Sequence, residues 1–254
     1  MKYLLDMTVV DVVMMNGRCV LIKLTDDKQL PEMRPGQFVQ VRVDNSVNTF
    51  LRRPISINFV DRENNQLWLL VQMIGDGTKA LGQLQKGDKL NLLLPLGNGF
   101  SPVEALTGRI LLVGGGVGIA PMLEYGHYLS EHGIKPTFLL GGKSVADLLE
   151  LDCFKKYGDV FITTEDGSLG ERGFVTQHSV LSQKFEHIAV CGPKPMMMAV
   201  VKYARLANVP CEVSLENMMA CGLGACLCCV EKTVHGNVCV CTEGPVFNQS
   251  ELTW

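Results

Sequence analysis

Over the first hundred residues the apolar positions fall in short runs rich in Val, Leu and Ile: Met7–Val13, Arg18–Thr25, Gln37–Val43, Ile55–Val60, Gln66–Met73 and Lys89–Leu94. Polar turn pairs separate them, among them Asn16-Gly17, Asp26-Asp27, Pro35-Gly36, Asn64-Asn65 and Gly87-Asp88. Short strands at this spacing predict a barrel or a sandwich. One short helix is expected over Thr78–Leu84, with Thr78 as its N-cap.

From Arg109 the pattern changes. Ile110–Val113 is apolar throughout and leads through a glycine-rich turn into a helix over Pro121–Glu131. Thr137–Leu140 is a second buried run, followed by a helix over Ser144–Lys156. Val160–Thr164 follows, then a segment of helical tendency over Gly173–Ser182. His187–Cys191 is a further strand, Lys194–Ala207 a further helix, and Val209–Ser214 the last strand. Strands alternating with helices predict a parallel sheet. The fold class is therefore multi-domain β plus α/β. Its expected units are an antiparallel β domain over residues 1–101, a nucleotide-binding α/β domain over 102–210 and a cysteine-rich module over 211–254.

The chain of 254 residues is 47% hydrophobic and 19% charged, enough to bury proper cores, and its net charge is −3. No Lys/Arg run stands out, which argues against nucleic acid as a partner. Asp6 and Asp11 interrupt the N-terminal apolar residues, unlike a signal peptide. The longest apolar stretch, Ile110 to Leu123, is shorter than the roughly 20 residues a membrane span needs. A soluble cytoplasmic protein is expected.

Six of the ten cysteines lie between Cys221 and Cys241. In a reducing compartment such clustering points to metal ligation rather than cross-links. Cys221, Cys226 and Cys229 have the C-x4-C-x2-C spacing of plant-type [2Fe-2S] ligands. Four thiolates are needed, so one of Cys228, Cys239 and Cys241 must join them. Gly222 and Gly224 allow a tight loop that aims backbone N–H groups at the sulfurs. A structural zinc site is the bland alternative, but Cys226/Cys229 with Cys239/Cys241 makes a poor second knuckle.

Other motifs are weaker alone. Arg52-Arg53-Pro54-Ile55-Ser56 presents a guanidinium and a hydroxyl suited to pyrophosphate, although a surface arginine pair before a strand is the plainer explanation. Gly75-Asp76-Gly77-Thr78 is a phosphate-type turn or simply a capped loop. Val113-Gly114-Gly115-Gly116-Val117-Gly118-Ile119-Ala120-Pro121 reads as a nucleotide loop, because four glycines in five positions exceed what packing needs. It departs from the dinucleotide fingerprint at Ile119, and Leu140-Gly141-Gly142-Lys143 stands where an acidic residue would end the second strand. There Lys143 and Ser144 are placed to meet a 2′-phosphate. Cys191-Gly192-Pro193 ends a later strand, where ligands of open α/β sheets bind, so Cys191 is a candidate neighbour of a nicotinamide. Met196-Met197-Met198 is read as core packing, Glu165-Asp166 as a turn with Gly167, and the five histidines show no ligand spacing.

Taken in order, Arg-Pro-Ile-Ser, Gly-x-Gly-Thr, Gly-Gly-Gly-Val-Gly-Ile-Ala-Pro, Cys-Gly-Pro and the cysteines resemble the ferredoxin–NADP reductase superfamily. More narrowly, the chain is similar to the electron-transfer subunits of class 1B dihydroorotate dehydrogenase. Leu94–Phe100, Thr164–Ser168 and Glu243–Phe247 fit that family, and the resemblance covers nearly the whole chain. It implies an FAD-binding β-barrel, with FAD held by Arg53, Pro54, Ile55, Ser56, the segment Leu70-Val71-Gln72, Gly77 and Thr78. It implies NAD(H) at Gly114, Gly115, Gly116 and Gly118, with Cys191, Gly192 and Pro193 nearby. It implies Cys241 as the fourth ligand, because the family's last cysteine precedes an acidic-Gly-Pro-Val-Phe segment. Cys228 stands where the family has glycine, and Cys239 is an extra thiol. The implied activity is a relay in pyrimidine (UMP) biosynthesis. An FMN-containing catalytic subunit oxidises dihydroorotate, single electrons leave through the [2Fe-2S] cluster, and FAD passes a hydride to NAD+. The implied assembly is a heterotetramer of two of each subunit, with no side-chain acid or base needed for the hydride step. Related flavin and iron–sulfur reductase subunits, serving sulfide, ferredoxin or transhydrogenation, and a non-enzymatic redox or zinc module are the alternatives.

Overall fold

A computed structural model describes all residues, 1–254. The N-terminal unit comprises β1 (Tyr3–Met14), β2 (Cys19–Thr25), β3 (Phe38–Val41), β4 (Arg53–Ser56), β5 (Phe59–Asp61), β6 (Gln66–Gln72), α1 (Asp76–Leu81) and β7 (Lys89–Leu96). The strands form one antiparallel sheet in the order β4-β3-β7-β1-β2-β6-β5. Residues that alternate inward, such as Val20, Ile22, Leu67, Leu69 and Val71, fill a single core with Val39, Val41 and Leu92.

The run expected as one strand, Ile55–Val60, splits at Ile57-Asn58, and the split curls the sheet. The Ile57 N–H donates to Gln37 O beside β3 (3.0 Å), whereas the next N–H, of Asn58, donates to Trp68 O of β6 (3.0 Å). Two adjacent residues thus bond to strands near opposite edges. The expected N-cap of the short helix also shifts. Gly75 holds that position, and Thr78 lies in the first turn, its hydroxyl accepting the N–H groups of Ile74 (3.0 Å) and Gly75 (3.2 Å).

The second unit contains β8 (Ile110–Gly115), α2 (Ala120–Glu131), β9 (Thr137–Gly142), α3 (Leu151–Tyr157), β10 (Asp159–Thr164), β11 (Glu171–Arg172), β12 (His187–Cys191), α4 (Lys194–Ala207) and β13 (Cys211–Ser214). These strands are parallel, as expected. The helix expected over Ser144–Lys156 is broken. A 3-10 turn spans Val145–Asp147, Leu148 and Leu149 turn into the core, and Glu150 takes a left-handed φ of 56° before α3. That break lets the Glu150 carboxylate accept from Asn58 Nδ2 of the barrel at 3.0 Å. Gly173–Ser182 forms two 3-10 turns separated by His178, whose Nδ1 accepts the Val180 N–H.

β13 is not the last strand of the sheet. After the hairpin of β14 (Val230–Thr233) and β15 (Gly236–Cys239) and the short α5 (Val240–Glu243), β16 (Val246–Asn248) adds to β13 antiparallel. The three parts therefore share cores. Leu21, Phe59 and Leu70 from the barrel pack with Met122, Leu123 and Tyr125 of α2. Phe38 and Leu96 pack with Val113, Val213, Cys229, Cys241 and Phe247. At the linker between barrel and α/β unit, Glu212 accepts the Ser101 N–H (3.0 Å) and faces His187 Nε2 (2.9 Å).

Candidate functional site

The two phosphate-type motifs of the barrel converge. A Cβ on Gly77 would lie 2.9 Å from Thr49 Cγ2 and 3.1 Å from Arg53 Nε, so only a bare backbone lets α1 approach the guanidinium. The two neighbouring arginines have different fates. Arg52 donates to Gln40 O (3.1 Å), Asn91 O (3.2 Å) and Asn91 Oδ1 (2.5 Å) and braces the barrel. Arg53 donates from Nη1 to Leu51 O at 2.8 Å, leaving N–H groups for an anion. Pro54, Ile55 and Ser56 are half-buried on β4, an edge strand. Leu70 and Val71 are core residues, so their side chains are committed elsewhere. Because β5 pairs only with Gln66–Trp68, the backbone edge of Leu70–Gln72 away from β2 has no strand partner. An open backbone edge beside Arg53 and Gly77 is a cradle that fits a flavin nucleotide.

A cleft of about 580 Å³ opens at the carboxyl ends of β8, β9 and β10. Gly115, Gly116, Pro193 and Gln72 line it. Gly114, Gly118, Cys191 and Gly192 lie behind this surface. Packing accounts for part of the four-glycine run. A Cβ on Gly118 would meet Gly192 Cα at 2.5 Å, one on Gly115 would meet Met196 Sδ at 2.4 Å, and one on Gly114 would meet Ile119 at 3.0 Å, while Gly116 has φ of 56°. Backbone packing requires Gly118 and backbone conformation favours Gly116, whereas the contact at Gly115 is with the movable end of Met196; the loop also forms a cleft wall. Cys191 is fully buried, its sulfur 3.8 Å from Glu216 Oε1, and burial pushes the thiol well up from its ordinary range. Glu216 itself lines the cleft, and burial raises its carboxyl also.

Sequence reasoning missed several cleft residues. Arg18 enters from the β1–β2 turn of the barrel and pairs with Asp147 at 2.6 Å. Asp147 Oδ2 accepts the N–H groups of Lys143 (3.1 Å) and Ser144 (3.2 Å). Lys143, expected beside a nucleotide phosphate, does line the cleft, as does Glu165, expected only in a turn; they follow β9 and β10. Of the methionine triplet only Met197 is core. Met196 lines the cleft and Met198 is exposed.

The cysteine loop folds as its glycines demand. Gly222 and Gly224 adopt φ of 69° and 81°. The Leu223 N–H points at Cys221 Sγ (3.3 Å), the Gly224 N–H at Cys241 Sγ (3.2 Å) and the Cys241 N–H at Cys229 Sγ (3.4 Å). The Leu223 amide brings Cys221 down to about 6. Burial pushes Cys241 up to about 12, so a bound cation is what would hold that sulfur as thiolate. Cys226 and Cys228 are exposed, and the Cys239 thiol faces Gly224 O at 3.8 Å. No three His, Cys, Asp or Glu side chains converge on one point as a mononuclear site would need. A dinuclear cluster divides its four thiolates between two irons, and N–H groups aimed at the sulfurs fit it.

A sequence model of the iron-sulfur cluster binding domain of dihydroorotate dehydrogenase B matches residues 216–253, and one of an oxidoreductase NAD-binding domain matches residues 112–202. A dihydroorotate dehydrogenase B (NAD(+)) electron transfer subunit from Shouchella clausii is 43% identical over 227 residues, 86% of each chain. The chain belongs to this family of electron transfer subunits. The Bacillus caldolyticus member is 40% identical over 230 residues, covering 87% of this chain and 88% of that one. Among solved structures, an NADH-dependent reduced ferredoxin-NADP oxidoreductase studied for flavin-based electron bifurcation superposes with a TM-score of 0.87 at 29% identity. That match covers 98% of this chain and 90% of the other. The flavohem-like FAD/NAD binding domain of a Vibrio cholerae nitric oxide dioxygenase shares the fold alone, with a TM-score of 0.67 at 16% identity over 80% of this chain and 93% of its own. No helix of this family member is long and apolar enough to cross a membrane.

Proposed function

We propose that this chain carries electrons between an FMN-containing dihydroorotate-oxidising catalytic subunit and NAD+, in an assembly with two copies of each subunit. The observation that carries the reading is the packing of the cysteine loop directly on the barrel. Gly222 sits on Gln40 of β3, and Gln40 lies opposite Pro54 of the flavin-type strand. When bound, the flavin and the cluster supply the exchange between single electrons and a hydride. The chain's own residues do the holding. Arg53 and the open edge of Leu70–Gln72 fix a flavin nucleotide, while Gly77 lets α1 close on it. Cys221, Cys226, Cys229 and Cys241 ligate the cluster. The cleft below Gly115–Gly116 orients the dinucleotide, and Met196 and Pro193 form part of its wall.

The purified holo-chain should reduce dyes with NADH and leave dihydroorotate unoxidised, and adding the catalytic subunit should give dihydroorotate-dependent NADH formation. Dihydroorotate turnover by the isolated chain would overturn the division of labour. The likeness to the ferredoxin-NADP oxidoreductase supports a second reading, a subunit serving ferredoxin. Affinity capture of the native partner separates the two, and the native mass of the captured complex tests the two-plus-two assembly.

A further inference from the structure

Gln40 is fully buried, and neither Nε2 nor Oε1 of its side chain has a partner. A buried amide with both ends unpaired is rare and costly. Its surroundings are specific. The Gln40 backbone oxygen is occupied by Arg52 Nη1 at 3.1 Å, which ties this residue's main chain into the barrel. Its side chain runs beneath the cysteine loop, where a Cβ on Gly222 would come within 2.8 Å of Gln40 Cγ and 3.1 Å of Nε2. Gly222 directly follows Cys221 and holds φ of 69°, so both its bareness and its conformation serve this approach. Across the sheet Gln40 is paired with Pro54, and side chains opposite one another share a face. Arg53, which meets Gly77, alternates to the other face of β4.

We propose that the Gln40 amide donates a hydrogen bond to the sulfur shell of the iron–sulfur cluster and so tunes its reduction potential. The proposal rests on the functional reading above. The protein supplies no acceptor for Nε2, and the sulfurs brought in with the cluster under the loop of Gly222 would supply one. Hydrogen bonds to cluster and ligand sulfurs stabilise the more negative, reduced state and raise the potential. The residue also stands between the cluster loop and the strand of Pro54 and Ser56, where a change in cluster potential alters electron transfer to a flavin directly.

The test uses the full holo-chain and two variants, Gln40→Met, which keeps much of the volume without a donor, and Gln40→Glu, which replaces the donor by an acceptor. Iron content and visible spectrum are measured first, then the cluster midpoint by redox titration followed by electron paramagnetic resonance, and the flavin midpoint by absorbance. Both variants should lower the cluster midpoint with the flavin midpoint unchanged. For Gln40→Met the expected shift is about tenfold in the reduction equilibrium, or about 59 mV for a one-electron couple. An unchanged cluster midpoint, or a shift confined to the flavin, overturns the proposal. In the unmutated chain labelled with [15N]glutamine, the reduced cluster should show a side-chain nitrogen coupling, and its absence overturns the proposal without reliance on any variant. An unmutated chain that binds no iron would instead overturn the functional reading itself.

Discussion

Cys239 and Cys241 are separated by one residue, yet they meet different surroundings. Cys241 is buried, receives the Gly224 N–H at 3.2 Å, and its own N–H reaches Cys229 Sγ. Cys239 is half-exposed, and its sulfur faces a carbonyl oxygen, Gly224 O, which offers it no donor. Donors stabilise a ligating thiolate and acceptors do not. Cys241→Ser should therefore abolish the iron–sulfur absorption and most bound iron, while Cys239→Ser keeps both. Loss of the cluster only in Cys239→Ser would reassign the fourth ligand. The candidate ligands were legible in the sequence because cysteine spacing and glycine conformation are local properties. Gln40 was not, since its significance lies in Gly222, distant in sequence. Arg52 and Arg53 were legible only as a pair. Which of them braces the barrel depends on Asn91, a partner on another strand.

At the scale of elements, strands and helices whose apolar period is undisturbed emerge with nearly the expected bounds, Lys194–Ala207 and His187–Cys191 among them. The departures occur where tertiary partners redirect the chain, at Ile57-Asn58 and at Leu148–Glu150. Both departures serve one joint. Glu124 of α2 accepts the Val60 N–H of β5 at 2.9 Å, and Glu150 accepts from Asn58 beside it. Burial pushes Glu124 up to about 8 and Glu150 up to about 7, from an ordinary 4.5. A carboxyl whose pKa is higher in the folded state stabilises the fold fully below 4.5. That contribution is lost as pH rises through 7 and 8, since the folded state then gives up protons the unfolded chain has already lost. A tenfold change in proton affinity corresponds to about 1.4 kcal/mol, so ionising Glu124 within the fold costs a few kcal/mol. The thermal midpoint should fall between pH 5 and pH 9. Glu124→Gln, which keeps an oxygen for Val60, should flatten that fall, and an unaltered slope in the variant would assign the pH dependence to other groups.

At the scale of the molecule, the cysteine-rich part reads in the sequence as a separate closing module, because its composition changes abruptly after Ser214. Its packing is different. β16 extends the α/β sheet beyond β13, and Asn98 of the barrel linker donates its N–H to Gly244 O. Val240, Phe247 and Leu252 lie in the same core as Phe38, Val113 and Val213. Fully burying three such side chains contributes on the order of 5–9 kcal/mol, comparable with the roughly 5–15 kcal/mol net stability of a folded domain. Without these residues β13 would also become a bare edge strand. A chain truncated after Ser214 should therefore lose much of its thermal midpoint and self-associate, as read by calorimetry and size-exclusion chromatography, and should lose NADH-dependent dye reduction with it. A truncated chain that stays monomeric, melts as the whole chain does and still reduces dyes would make the module an appendage. If instead the core is shared, as the packing of Phe247 against both other units argues, the cluster is held on the same rigid body as the flavin cradle. The distance between them is then set by the fold, with no linker to vary it.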